Sequence, residues 1–103
     1  MSNLAIPKIN DLESNAAEAA DLLAAMSNRR RLMILCRLLE GETQAGDLAD
    51  ICGLSQSALS QHLAKLREAG LVSTRREAQM IHYRLSSPPA EAVLATLYRI
   101  YCA

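Results

Sequence analysis

Between Ala45 and Ala69 the chain sets a short apolar-periodic stretch, a glycine turn and a longer stretch with a single leucine stripe, an order that few folds accept. Leu48, Ala49 and Ile51 mark a short helix with Thr43 as its N-cap, and Cys52, Gly53 and Leu54 turn tightly into Ser55. Glycine at position 53 makes a positive backbone φ cheap where a helix must exit into a short turn. From Ser55 to about Ala69, Leu59, Leu63 and Leu66 share one stripe, whereas Gln56, Ser57, Ser60, Gln61, Ala64 and Lys65 fall elsewhere on the helix. A short helix, a glycine turn and a second helix with one apolar face are the parts of a helix-turn-helix, spanning 45–69.

The flanking segments fit around that unit. Gly70 stops the second helix, and LVSTRRE and MIHYRLS alternate apolar and polar residues about a turn near Glu77 to Gln79, which predicts a hairpin over 71–86. Ser86 or Ser87 with Pro88 and Pro89 opens a last helix over 88–103, bearing Val93, Leu94, Leu97 and Ile100. Upstream, residues 1–9 contain Pro7 and no period, and read as a loose arm. Asn10 or Asp11 caps a first helix that runs to about Met26 with a small-residue stripe of Ala16, Ala19 and Ala20 beside Leu12, Leu22 and Leu23. Ser27 or Asn28 caps the second, RRRLMILCRLLE, whose Leu32, Ile34, Leu35, Leu38 and Leu39 cover most of its circumference and predict a buried helix ended by Gly41. The whole chain, 103 residues, reads as one mainly α domain, a winged helix-turn-helix.

A formal net charge of zero argues at first against a partner as anionic as DNA. The charge is segregated, however: Lys8 faces Asp11, Glu13, Glu18 and Asp21 near the N-terminus, whereas Lys65, Arg67, Arg75, Arg76 and Arg84 outnumber Glu68 and Glu77 between positions 53 and 84. Such a local excess serves phosphates if its members share a face. Half of the residues are apolar, so a packed core is expected, and helices apolar on more than one side favour a dimer. No apolar run approaches a membrane span, and the N-terminus lacks the pattern of a secretory signal, which leads us to expect a cytoplasmic protein with no membrane partner. Three cysteines, Cys36, Cys52 and Cys102, are an odd number, so reduced thiols are the default.

The start of the longer helix offers Gln56, Ser57, Ser60 and Gln61, whose hydroxyl and amide groups suit base edges in a major groove. Ser55 opens that helix, and free N–H groups at its N-terminus attract a phosphate without reading sequence. Lys65 and Arg67 suit phosphates, and Arg75, Arg76 and Gln79 around the hairpin turn suit a minor groove or the backbone. Any amphipathic helix has a polar face, so these residues gain weight only from the order of helix, turn, helix, stop and basic hairpin. His62 and His82 read as packing or phosphate-side residues.

On these residues, LSQSALSQHLAKLREAGLVSTRREAQMIHYRLS resembles the recognition helix and wing of the ArsR family, and MSNRRRLMILCRLLEGE resembles its second helix. The closing LYRIYC, together with Cys36, resembles a dithiol subgroup that responds to reactive sulfur species. The resemblance covers nearly the whole chain. It implies a winged helix of five helices and a two-stranded hairpin, dimerising through its first and last helices and regulating transcription at inverted-repeat duplex operators. Many members of the family sense metals, but QAGDLAD lacks the Cys-x-Cys of the arsenic and cadmium types, and the last helix has Glu91 but no histidine where the zinc types carry ligands. No metal or cofactor is therefore expected.

By itself Cys36, beside Leu32, Leu35 and Leu39, reads as a small core hydrophobe. The resemblance implies instead that Cys36 and Cys102 are linked by a reactive sulfur species or another oxidant, weakening operator binding of a repressor. Cys52 has no such counterpart and reads as structural. The same resemblance allows an activator that displaces a nucleoid silencer. From other classes, a thiol enzyme is disfavoured by the lack of Cys-x-x-Cys and of an evident base, and a winged helix used only for protein contacts would bind no DNA.

Overall fold

In the computed structural model, which describes residues 9–102, the N-terminal stretch is two helices rather than one: α1 (Ile9–Ser14) and α2 (Ala16–Met26). Side chains cause the break. Ser14 Oγ and Asn15 Nδ2 both donate to the Asp11 carbonyl, each at 2.9 Å, while the Asn15 amide turns to Leu12 O at 3.1 Å. Short polar side chains of this kind compete with the helical ladder for carbonyls. The first helix also begins at Ile9, before the expected caps, and the rest of the expected arm, residues 1–8, lies outside the described residues.

Asn28 caps α3 (Arg29–Leu38), its side-chain oxygen accepting from the amides of Arg30 and Arg31 at 2.9 and 3.0 Å. The Arg31 guanidinium reaches back to the end of α2, donating to Ala25 O at 2.6 Å and Ala24 O at 3.3 Å. A cation at a helix C-terminus meets both orphan carbonyls and the negative end of the dipole. Ile34, Leu35 and Leu38 are buried, but Met33 and Leu39 are exposed, so the helix is covered on one side rather than all round in the single chain. Gly41 follows with φ +143°.

Thr43 does not cap the next helix. With Gln44 it forms β1 (Thr43–Gln44), and the cap passes to Gln44, whose Oε1 accepts from the Asp47 amide at 3.3 Å. Then come α4 (Ala45–Cys52), a left-handed Gly53 at φ +66°, α5 (Gln56–Glu68), β2 (Val72–Glu77), β3 (Met80–Leu85) and α6 (Pro88–Tyr101). The wing turn is Ala78–Gln79, with Ala78 at φ +57°. The sheet is antiparallel in the order β1-β3-β2; Thr43 pairs with Tyr83 and Gln44 with His82. Among the described residues there are thus six helices and three strands where five and two were expected. The extra strand is two residues long, too short to show a period. The extra helix is the product of the Asn15 break.

The core gathers Ile34, Leu35 and Leu38 of α3, Leu48 and Ala49 of α4, Leu59, Leu63 and Leu66 of α5, Val72 of β2 and Leu94 of α6. Leu59, Leu63 and Leu66 are each no more than 2% exposed, as the stripe requires. This packing fixes α5 with its opposite face outward. Ser87 Oγ accepts from the Ala90 amide at 3.1 Å and caps α6, with Pro88 and Pro89 in the first turn where no amide is missed.

Candidate nucleic-acid interface

Ser55 Oγ accepts from the Ala58 amide at 3.1 Å, so the residue expected at the DNA face is also the N-cap of α5. Its hydroxyl lies 3.4 Å from Ser57 Oγ. Gln56, Ser57, Ser60 and Gln61 are all exposed on α5, with Ser57 and Gln61 turned away from the leucine stripe and Gln56 and Ser60 flanking it, and Lys65 and Arg67 are exposed further along the helix. Cations in the last turn of α5 also favour its C-terminal dipole. The sequence had placed these groups by period alone, and the packing of the leucines into the core leaves each of them accessible.

His62 is half-buried on the same helix. Burial lowers its pKa, and the charges of Arg31, Arg30 and Lys65 lower it further. The start of α3 and its arginines thus lie within electrostatic range of His62 where α3 and α5 share the core, a cationic neighbourhood that sequence reasoning had not assembled. Arg30 is exposed there and Arg31 is engaged with the end of α2, so Arg30 is the addition to the surface. The signal was the RRR run at 29–31, read earlier only as the opening of a helix.

The wing divides its cations. Arg76 and Gln79 are exposed near the turn. Arg75 is held by carboxylates: Glu42 accepts from its Nε at 2.9 and 3.0 Å and from Nη2 at 2.8 Å, and Glu77 lies 3.4 Å from Nη1. The hydrogen bond from Arg75 holds the Glu42 carboxyl below its ordinary pKa, with added help from the charges of His82 and Arg84, and Glu42 raises that of Arg75. His82 Nε2 lies 3.4 Å from Glu77 Oε1, within ion-pair range, yet in a direction that makes no hydrogen bond. Among the described residues, Lys65, Arg67 and Arg76 take part in none of the ion pairs.

Cys36 and Cys102 line one apolar groove of α3 and α6 with Leu32, Leu39, Leu94, Leu97, Tyr98 and Tyr101. Both are free and exposed. This corrects the reading of Cys36 as core: the helix turns Ile34 and Leu35 inward and Cys36 outward. Its thiol pKa is raised by burial against the groove and by the charge of nearby Cys102. Cys52 is free and buried at the end of α4, where burial raises its pKa and the Arg37 charge lowers it. Among the described residues, no group of three or more His, Cys, Asp or Glu side chains is placed to hold a metal ion, and no helix is long and apolar enough to cross a membrane.

Comparison with known proteins adds a second line of argument. Residues 28–74 match the model of a bacterial regulatory protein family, the arsR family. The chain is 53% identical over 94 residues to the transcriptional activator HlyU of Vibrio cholerae, covering 91% of this chain and 87% of that protein. It is 45% identical to the crystal structure of the transcriptional repressor BigR from Xylella fastidiosa, with a TM-score of 0.87 over 91% of this chain and 96% of that one. Reduced HlyU from Vibrio cholerae is similar at a TM-score of 0.85 and 54% identity, covering 90% and 98% of the two chains.

Proposed function

Because this chain belongs to the ArsR family of bacterial transcriptional regulators, we propose that it acts as a dimeric, sequence-specific repressor whose operator binding is switched by its Cys36 and Cys102 thiols. The observation that carries the switch is the shared groove: two free, exposed thiols far apart in the chain border one apolar cleft of α3 and α6.

The chemistry is thiol exchange. A thiolate of the pair attacks the outer sulfur of an organic persulfide, RSSH, forming a protein persulfide and releasing RS⁻. The second thiolate attacks the protein sulfur of that persulfide, forming a disulfide and expelling HS⁻; if a further sulfur is added first, the bridge is longer. A reductant restores both thiols. A bridge would draw α6 against α3, and the end of α3 that carries Arg30 lies beside His62 of α5.

Dimerisation is supported by exposed apolar side chains on the terminal helices: Ile9 and Leu12 of α1, Leu23 of α2, and Tyr98, Ile100 and Tyr101 of α6. A two-fold dimer presents two copies of α5 to successive major grooves about 34 Å apart, matching an inverted repeat. Gln56, Ser57, Ser60 and Gln61 then face base edges; Ser55, His62, Lys65 and Arg67 face phosphates, as do Arg75, Arg76 and Gln79 of the wing. A change in helix spacing worth about 1–3 kcal/mol alters operator affinity roughly five- to 150-fold.

The test is fluorescence anisotropy of a duplex from the promoter upstream of its own gene, with reduced protein, protein treated with a persulfide donor, and protein treated with peroxide. Tight binding lost on persulfide treatment and regained with reductant is the expected result. Cys36→Ser and Cys102→Ser should bind DNA and ignore the donor; indifference of the wild-type protein to every treatment removes the switch. A second reading, activation, is favoured by the 53% identity to a protein named as a transcriptional activator. It differs in operator placement rather than in chemistry, and a promoter reporter in a deletion strain distinguishes the two by sign.

A further inference from the structure

The wing strands alternate strictly, and their register gathers charge on one face. Arg75 pairs with His82 and Ser73 with Arg84, and Gln44 of β1 completes the His82 rung. The opposite face carries Val72, Tyr83 and Leu85 toward the core. Glu42, two residues before Gln44, lays its carboxylate onto the charged face, in bidentate contact with Arg75 at 2.8–3.0 Å and within the field of His82 and Arg84. One acid from a distant loop thus lies on a wing face that carries Arg75 and Arg84 beside His82, and it holds Arg75 more closely than does Glu77 of the same strand.

We propose that this face of the wing is a site for a DNA backbone phosphate and that Glu42 occupies it in the free protein, yielding Arg75 to the phosphate when duplex binds. The inference rests on the reading above that the wing meets DNA. The planar guanidinium fork recognises carboxylate and phosphate oxygens with the same geometry, so the group that suits Glu42 suits a phosphate equally well. The exchange is also easy. The Arg75 and Glu42 side chains are 50% and 29% exposed, and ion pairs open to solvent contribute little to stability. Glu77 reaches Arg75 only through Nη1 at 3.4 Å, leaving Nε and Nη2 to Glu42 alone. Arg84, counted in the sequence only as part of the local excess of positive charge, joins the site through the strand register. Because a phosphate carries no sequence information, Glu42 lowers affinity for operator and random duplex alike, which suits a regulator that must leave most DNA unoccupied.

The experiment compares wild type, Glu42→Gln, Arg75→Gln and the double variant by anisotropy, on the promoter duplex and on a scrambled duplex of equal length, with thermal melting of each protein. Glu42→Gln is expected to tighten binding to both duplexes about two- to fivefold, the range of an exposed ion pair released from competition. Arg75→Gln weakens both, and in its background the Glu42 substitution loses most of its gain. If Glu42→Gln binds more weakly or unchanged while melting as the wild type does, the proposal is overturned. A weaker-binding, lower-melting Glu42→Gln protein would instead make the pair a structural clamp and overturn it as well. Failure of the wild-type protein to bind either duplex sinks the DNA-binding reading itself, whereas wild-type-like binding by Arg75→Gln removes the wing site alone.

Discussion

Replacing Ser55 separates the capping role seen at the start of α5 from the DNA-facing role proposed for it. The Ser55 hydroxyl accepts one exposed amide hydrogen, from Ala58 at 3.1 Å, so Ser55→Ala leaves that amide to water and should cost about 1 kcal/mol, mid-range for loss of an N-cap. An unfolding entropy near 2 cal/mol/K per residue, over a chain of this length, converts this to a melting temperature lower by about 5 °C. Ser55→Asp retains a capping oxygen and adds a negative charge at the positive end of the helix dipole, so its melting temperature should equal or exceed that of the wild type. The same carboxylate stands where a phosphate would approach. Ser55→Asp should therefore be a stable protein with poor DNA binding, and Ser55→Ala a less stable one with binding nearly retained at low temperature. Circular dichroism melts at fixed protein concentration and anisotropy titrations measure both quantities. Wild-type melting by Ser55→Ala refutes the capping argument; undiminished DNA affinity of Ser55→Asp refutes the placement of this helix end against DNA.

Leu66→Ala removes a fully buried side chain from the stripe of α5 and should cost about 2–5 kcal/mol in urea unfolding; a loss under about 1 kcal/mol would mean that the stripe is not core. Gly70 adopts φ +79° with no atom within 4 Å of an added Cβ, so Gly70→Ala should cost only the left-handed strain, about 1–2 kcal/mol, without loss of the wing's circular dichroism signature. The raised pKa of Cys36 favours the neutral thiol in the folded state, so its contribution to stability is full below the ordinary value of 9.0 and is lost as pH rises through the higher folded value. Alkylation of Cys36 by iodoacetamide at pH 8 should accordingly be slower than that of an unstructured thiol and faster in Cys102→Ser, and equal rates in the two proteins would refute the coupling.

Sequence periodicity located what repeated contacts maintain. Leu59, Leu63 and Leu66 recur at helical spacing because every turn of α5 meets the same core, and Gly53 and Gly70 mark helix ends because their positive φ excludes most other residues. The exposed residues of that helix could then be named one by one. What was missed depends on partners far along the chain or on single hydrogen bonds. Thr43 pairs with Tyr83, and no local pattern in two residues could announce it. Glu42 and Arg75 are 33 positions apart, so a wing arginine counted as free is held by an acid. The division at Asn15 follows from two side chains choosing the same carbonyl. Cys36 looked internal among leucines because the α3 period admits more than one face; only the packed chain shows which leucines, Leu35 and Leu38, turn inward.

The short β1 strand has a topological consequence. Its ladder to β3 joins the chain just before α4 to the strand that returns from the wing, so the helix-turn-helix lies inside a loop closed by backbone hydrogen bonds. Wholesale detachment of α4 and α5 from the body requires that closure to part along with the leucine packing, and closing the loop early lowers the entropy left for the enclosed segment to regain. Amides in the middle of α5 should therefore exchange with deuterated solvent only in openings that also expose the Thr43 and Tyr83 rung, as members of one cooperative unit.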